Sequence, residues 1–372
     1  VQTGLSDLHY SSKYFSNRII SFRLLVQTIR LNSKVKMLTS TWLISAAILI
    51  GQSTDRLPER FEFTQIQMGM TFRVVLYAPD EDSANAAASA AYARIKQLNA
   101  LLSDYDPESE LMQLCRTAGL GKKVRVSPDL LAVLSQSQAL SRKSDGAFDV
   151  TVGPVVKLWR KARKTKKFPS LDELAAAREL VGFRNLRVDE QAGTVELLKP
   201  GMLLDLGGIA VGYAVDETLA LLKSRGIASA LVDGSGDIGV SDAPPGQPGW
   251  RIGIAPLDAD KEPSRYLILK NAAVTTSGDA FQFVEFDGKR YSHIVDPQTG
   301  LGIVDHSSVT VLARNCTIAD SYTKAVSVLG PERGLKLIDE TPGAAAIVVR
   351  APQGKVESFE SRRLADYRFE KD

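Results

Sequence analysis

Between Phe61 and Ala78 apolar and polar residues alternate in two runs, FEFTQIQM and TFRVVLYA, and this period of two predicts a pair of β-strands joined at Gly69. The period then changes. Residues 82–103 are rich in Ala and Leu, lack Pro and Gly, and repeat their apolar positions at helical spacing, which predicts a helix. Pro128 to Ser144 predicts a second, with Ser127 as N-cap and Pro128 as first helical residue. Further helices are expected near 154–163, 171–180, 210–225, 317–329 and 331–340. Short strands are expected near 193–198, 228–232, 250–255, 266–270, 282–286, 307–312 and 344–349. Helices and strands intermix, and the later strands arrive in pairs without helices between them. That pattern favours an α+β fold over a doubly wound parallel sheet. No internal repeat is visible, and the Pro/Gly-rich stretch Ala243 to Gly249 reads as a loop.

Composition adds a division of the chain. Of 372 residues, 44% are hydrophobic and 24% charged, an ordinary globular balance. The formal net charge of +3 is concentrated at the start, where Lys13, Arg18, Arg23, Arg30, Lys34 and Lys36 face Asp7 alone. The remainder is slightly negative, which disfavours general nucleic-acid binding. The apolar run from Leu38 to Ile50 is shorter than the about 20 residues of a membrane span. Followed by Gly51-Gln52-Ser53, it reads as a secretory signal and cleavage site, with a single N-terminal anchor and membrane association as the alternative. No Cys stands just after it, so the protein is not expected to be a lipoprotein. Residues 1–53 are thus expected to form a leader, and 57–372 a catalytic domain that is periplasmic or held on the outer face of the cytoplasmic membrane. Cys115 and Cys316 are too few for a disulfide scaffold or a Cys-rich zinc site, and are expected to be unpaired and partly buried.

Candidate chemistry gathers in polar turns. RYSHIVDPQTG sets His293 three residues before Asp296, at a strand end where an imidazole could deprotonate a hydroxyl. His306, in DHSS, reads as a surface residue. LDLGGIAVGYAVD places Asp205 and Gly207-Gly208 before a helix whose N-terminus favours phosphate. LVDGSGDIGV, GAFDVTVGP and TTSGDAF repeat the style with Asp237, Asp149, Ser277 and Asp279. Together they suit an anionic ligand and a divalent metal, whereas a GxxxxGK[ST] fingerprint is absent. CTIADSYTKAVSVLG reads as a helix with Asp320 in its first turn and Thr323 and Lys324 on the same side. Asp plus a hydroxyl is hard-oxygen ligation suited to Mg²⁺. The run RKARKTKK from Arg160 reads as a solvated helix end.

Taken in order, these segments resemble the FAD:protein FMN transferases, the ApbE family, from about Met68 to Gly330. The carriers are Met68-Gly69 with Thr71, LSDYDPESEL, FDVTVGPVVKLW, DLGGIAVGYAVD, VTTSGD, YSHIVDPQTG and IADSYTKAVSVLG. The resemblance implies an α+β fold related to the T-fold, with FAD in a cleft between two lobes. It implies FAD contacts from Met68, Tyr105, Ala147, Phe148, Asp149, Asp205 and Ile294, and at the position of Val211. It implies Mg²⁺ held by the Gly208 carbonyl and Asp320, with His293 assisting the acceptor hydroxyl. The expected reaction moves FMN from FAD to a Ser or Thr of an acceptor protein and releases AMP. An FAD pyrophosphatase or a non-catalytic flavin-binding protein is the alternative.

Three positions depart from the family pattern. Val211 stands where a Lys is usual. Lys324 stands where a Thr usually follows the helix Asp at i+4, leaving Thr323 at i+3 as the hydroxyl candidate for the metal. Asp233 and Ser235 replace an Asn and a Gly. A cation lost at 211 thus reappears at 324, and a softened metal dependence is expected.

Overall fold

A computed structural model describes residues 57–257, 261–278, 283–304 and 306–370. The leader expected at 1–53 and Asp279 lie outside the described residues. The alternating runs form the first hairpin of the main sheet, β1 (Glu59–Gln67) antiparallel to β2 (Met70–Ala78) with Gln67 opposite Met70. Met68 and Gly69 between them have φ of 51° and 75°. A two-residue turn needs this left-handed pair to match the twist of its strands.

Six more strands complete the sheet: β3 (Ala230–Gly234), β4 (Asp237–Val240), β5 (Ala272–Gly278), β6 (Ser307–Ala313), β7 (Ala345–Arg350) and β8 (Glu357–Glu360). Across the sheet they follow chain order, and every neighbour is antiparallel. The long helices are α1 (Glu81–Leu102), α2 (Pro128–Lys143), α3 (Gly153–Thr165), α4 (Ala210–Ser224) and α5 (Cys316–Asp339). The fold is α+β, as expected.

Helices α1, α4 and α5 cover one face of the sheet, where Phe72, Val74, Val232, Val309 and Val311 are buried. Half of the buried stripe of α1 is alanine (Ala84, Ala87, Ala88, Ala91), so the first turns of this helix can lie close to their neighbours. Arg94 of α1 fastens α2 and α4 together, with ion pairs of 2.5 Å to Asp129 and 2.6 Å to Glu217. The Tyr213 hydroxyl donates to the same Asp129 at 2.8 Å. On the other face, the hairpin of Trp250–Gly253 and Tyr266–Leu269 covers Val75, Leu231 and Leu312.

A second, smaller core lies around α3, where Val155 and Trp159 pack with Ala177, Val284 and Val295. The Trp159 indole donates to the Gly300 carbonyl at 2.8 Å, tying α3 to the loop after His293. This core and those of the sheet lie within one compact unit.

Ser127 and Pro128 start α2 as expected, the Ser127 hydroxyl accepting from Leu130 N. Helix α5 departs in a useful way. Its N-cap is Asn315, so Asp320 lies in the second turn and not the first. The helix dipole, strongest in the terminal turn, therefore does not explain this acid. At Gly330 (φ 74°) the helix breaks before Pro331, where two separate helices were expected. Strands β4 and β5 were read as turns. Their residues, DIGV and AAVTTSG, mix Gly, Thr and Ser, so no apolar alternation announces them.

Candidate active-site cleft

The turn Met68-Gly69 and the turn Ser235-Gly236 between β3 and β4 stand at the same end of the sheet, since Phe72 pairs with Gly234. Ser235 (φ 55°) fastens them by donating from Oγ to the Thr71 carbonyl at 3.0 Å. A cleft of about 1200 Å³ opens here, larger than the roughly 300–1,000 Å³ typical of small-molecule pockets. Met68, Tyr105, Ala147 and Phe148 line it. So do Asp149, Asp205, Gly208, Val211, His293 and Ile294. Residues spread from 68 to 294 along the chain are thus brought to one surface.

Within that surface the roles differ. Asp149 directs its carboxylate inward, accepting from the Thr151 amide (2.8 Å) and hydroxyl (2.7 Å) and from the Phe183 amide (2.7 Å). Its charge therefore shapes the loop that carries Ala147 and Phe148. Val211 occupies the first turn of α4 and is buried against Gly234, whose absent side chain makes room; a Cβ there would come within 2.7 Å of Val211 Cγ1. Asp205 accepts from Gly207 N at 2.8 Å and so folds the glycine turn before α4. Burial, then the neighbouring Asp104 carboxylate, pushes the Asp205 carboxyl up, against the pull of Arg160.

Arg160 corrects the expectation of a solvated RKARKTKK run. It bridges Asp104 and Asp205, the latter at 2.8 Å, and its guanidinium lies 4.2 Å from the centre of the Tyr105 ring. Arg163, one turn on, also lines the cleft. Both turn inward because α3 packs on the second core. The opposite face of Tyr105 is left open, the residue being 76% exposed.

His293 follows directly on the short strand Lys289–Ser292. Its neighbours are pinned: Ser292 N donates to Ile303 O (2.8 Å), Ile303 N to Ile294 O (2.9 Å), and Ile294 N to Ser292 Oγ (3.1 Å). Asp296 accepts from Gln298 N and from the Thr299 hydroxyl, closing the turn behind. The imidazole is presented to the cleft from a loop fixed on both sides.

The floor of the cleft is ionic. Asp320 is fully buried; its Oδ2 accepts from Gly212 N at 3.1 Å, and its Oδ1 receives the Lys324 ammonium at 2.5 Å. Lys324 Nζ donates also to Ser277 Oγ at 2.8 Å. Thr323 is fully buried and does not reach the cleft. Its hydroxyl donates to the Asp320 carbonyl (2.6 Å) and meets Ser277 Oγ at 2.8 Å. Asp237, at the start of β4, lines the same floor; burial first, then Asp320, pushes its carboxyl up to about 8, against the pull of Lys324. The Lys324 ammonium is held above the ordinary lysine range, because Asp320 and Asp237 outweigh the burial that opposes its charge.

The residues expected to hold Mg²⁺ therefore do not form an open oxygen site. Both Asp320 oxygens have hydrogen-bond donors, Thr323 is engaged behind them, and an ammonium stands between Asp320 and Ser277. Among the described residues no group of three His, Cys, Asp or Glu could hold a metal ion. Asp237, Ser277 and Arg160 were not singled out as site residues. Asp237 and Ser277 did stand in Gly-rich segments that drew attention, while Arg160 stood in a cationic run read as solvated.

The sequence profile of the ApbE family matches residues 68–348. A curated FAD:protein FMN transferase from Klebsiella pneumoniae (strain 342) is 32% identical over 296 residues, 77% of this chain and 83% of that protein. Among solved structures, the apo form of the Pseudomonas stutzeri flavinyl transferase ApbE superposes with a TM-score of 0.74 at 30% identity. It covers 83% of this chain and 97% of its own. The flavin transferase ApbE from Vibrio cholerae gives a TM-score of 0.75 at 27% identity, covering 84% of this chain and all of its own.

Proposed function

The chain belongs to the ApbE family, and on that premise we propose that its cleft binds FAD and delivers the FMN half to a Ser or Thr hydroxyl of an acceptor protein, releasing AMP. Transfer of FMN from FAD to protein is its activity. The observation that supports the site assignment is the convergence of Tyr105, the Gly207-Gly208 turn and His293 on one cleft.

Each group has a physical part in the proposed step. The open face of Tyr105 suits adenine stacking. The glycine turn at the start of α4 lets the pyrophosphate approach backbone N–H groups and the positive end of the helix. The acceptor oxygen attacks the FMN-side phosphorus, the bond from that phosphorus to the bridging oxygen breaks, and AMP leaves with that oxygen. His293 takes the hydroxyl proton. Mg²⁺ would act as a Lewis acid on the pyrophosphate. The residues present do not offer it an open site.

Incubating the full chain with FAD and a candidate acceptor, then reading flavin fluorescence on denaturing gels, tests the reading. Flavin that migrates with the acceptor is the expected result. Free FMN and AMP with no labelled protein would identify a pyrophosphatase, and unchanged FAD a binding protein. Export is likewise a proposal, resting on the apolar run at 38–50, and fractionation of cells producing the full chain tests it.

A further inference from the structure

We propose that the ammonium of Lys324 takes the place of a divalent metal ion in this enzyme and supplies the positive charge that the departing AMP phosphate needs. The inference rests on the transferase reading above. Its ground is the position of one atom. Lys324 Nζ lies 2.5 Å from Asp320 Oδ1 and 2.8 Å from Ser277 Oγ. It thus sits among the hard oxygens that a metal would take. The other Asp320 oxygen is already held by the Gly212 amide.

The surroundings fit this substitution. Lys324 lies one turn beyond Asp320 on α5, so the helix fixes the pair at i, i+4. Asp320 is fully buried, whereas a fifth of the lysine side chain is exposed, and it opens onto the cleft. The phosphate-binding turn runs along its stem: a Cβ on Gly208 would stand 3.2 Å from Lys324 Cγ and 3.6 Å from its Cε. A pyrophosphate at Gly207-Gly208 would therefore lie beside this ammonium. At position 211, the side chain facing the same region is apolar and buried. A second cation placed on Asp320 would meet the first at contact distance, which is strongly unfavourable in a partly dry site. The enzyme then works in the presence of chelator, the charge developing on AMP being met by one fixed ammonium.

The test uses the full chain, FAD and an acceptor protein, after passage through EDTA. Wild-type transfer is expected to persist within about threefold of its rate in Mg²⁺. Mn²⁺, followed by its free EPR signal, is expected to stay in solution with the wild type. Lys324→Thr is expected to bind one Mn²⁺ and to transfer flavin only when Mg²⁺ is added, its rate falling about 100-fold or more in chelator. Wild-type activity lost in EDTA and regained with Mg²⁺ would overturn the proposal, as would uptake of one Mn²⁺ by the wild type. Those two arms need no variant, so a misfolded Lys324→Thr leaves the proposal testable. Absence of transfer by the wild type with and without Mg²⁺ would instead overturn the transferase reading.

Discussion

The guanidinium of Arg160 lies over the ring of Tyr105, 4.2 Å from its centre, while its two ends reach Asp104 and Asp205. One face of the tyrosine is thereby fixed and the other left free. Lysine cannot reproduce this arrangement, because it lacks the planar fork that stacks and bridges at once. Arg160→Lys is expected to raise the KM for FAD by roughly 2- to 30-fold, the range of a lost cation–π contact. The kcat should be little changed. Steady-state kinetics at varied FAD check this, and an effect confined to kcat would contradict the positioning role.

Asp149 illustrates a carboxylate whose work is structural. With three donors on two oxygens, its replacement by Asn leaves one N–H facing another. Asp149→Asn is expected to cost about 1–3 kcal/mol of stability, measured by urea unfolding.

Helices α4 and α5 touch at Gly212, where a Cβ would stand 2.5 Å from the Cys316 carbonyl and 2.8 Å from Asp320 Cβ. Gly212→Ala should push the helices apart and loosen the Asp320 contact. A loss of about 1–3 kcal/mol is expected from such overpacking, together with a fall in transfer rate. Thermal unfolding and flavin transfer, read on one preparation, check both effects.

Both thiols are free and buried. Burial pushes the Cys115 thiol up to about 11 and the Cys316 thiol well above its ordinary value. A raised thiol pKa means the reactive thiolate is scarce below it. Alkylation by iodoacetamide should therefore be negligible in the native protein through pH 9, and complete at two sites in denaturant. Rapid native labelling would contradict the assignment.

Much of this was legible before the structure, for reasons that differ by residue. The hairpin at Met68-Gly69 announces itself by alternation, and α1 by its alanine spacing. His293 and Gly207-Gly208 sit in contiguous segments with a distinctive order. Cys115 and Cys316 proved free as expected, though more deeply buried. Arg160 was hidden because its partners lie 56 and 45 residues away, and a cationic run looks alike whether its side chains face water or a cleft. Asp237 and Ser277 were hidden because β4 and β5 face the site with small polar residues, which carry no strand period. Lys324 showed as a departure at position 324; only its contact with Asp320 turns that departure into chemistry.

Neighbours in the sheet follow chain order, yet β2 ends at Ala78 and β3 begins at Ala230, so α1, α2, α3 and part of the second core are threaded between two adjacent strands. That long excursion sets when the enzyme becomes active during synthesis. The first hairpin can close early, but β2 keeps an open edge until residue 234 has emerged from the ribosome. Closing so long a loop carries an entropic cost before any contact rewards it. The ionic floor waits longer still, for Lys324. A chain stalled before that point would hold the adenosine side of the cleft without the group we assign to the departing phosphate.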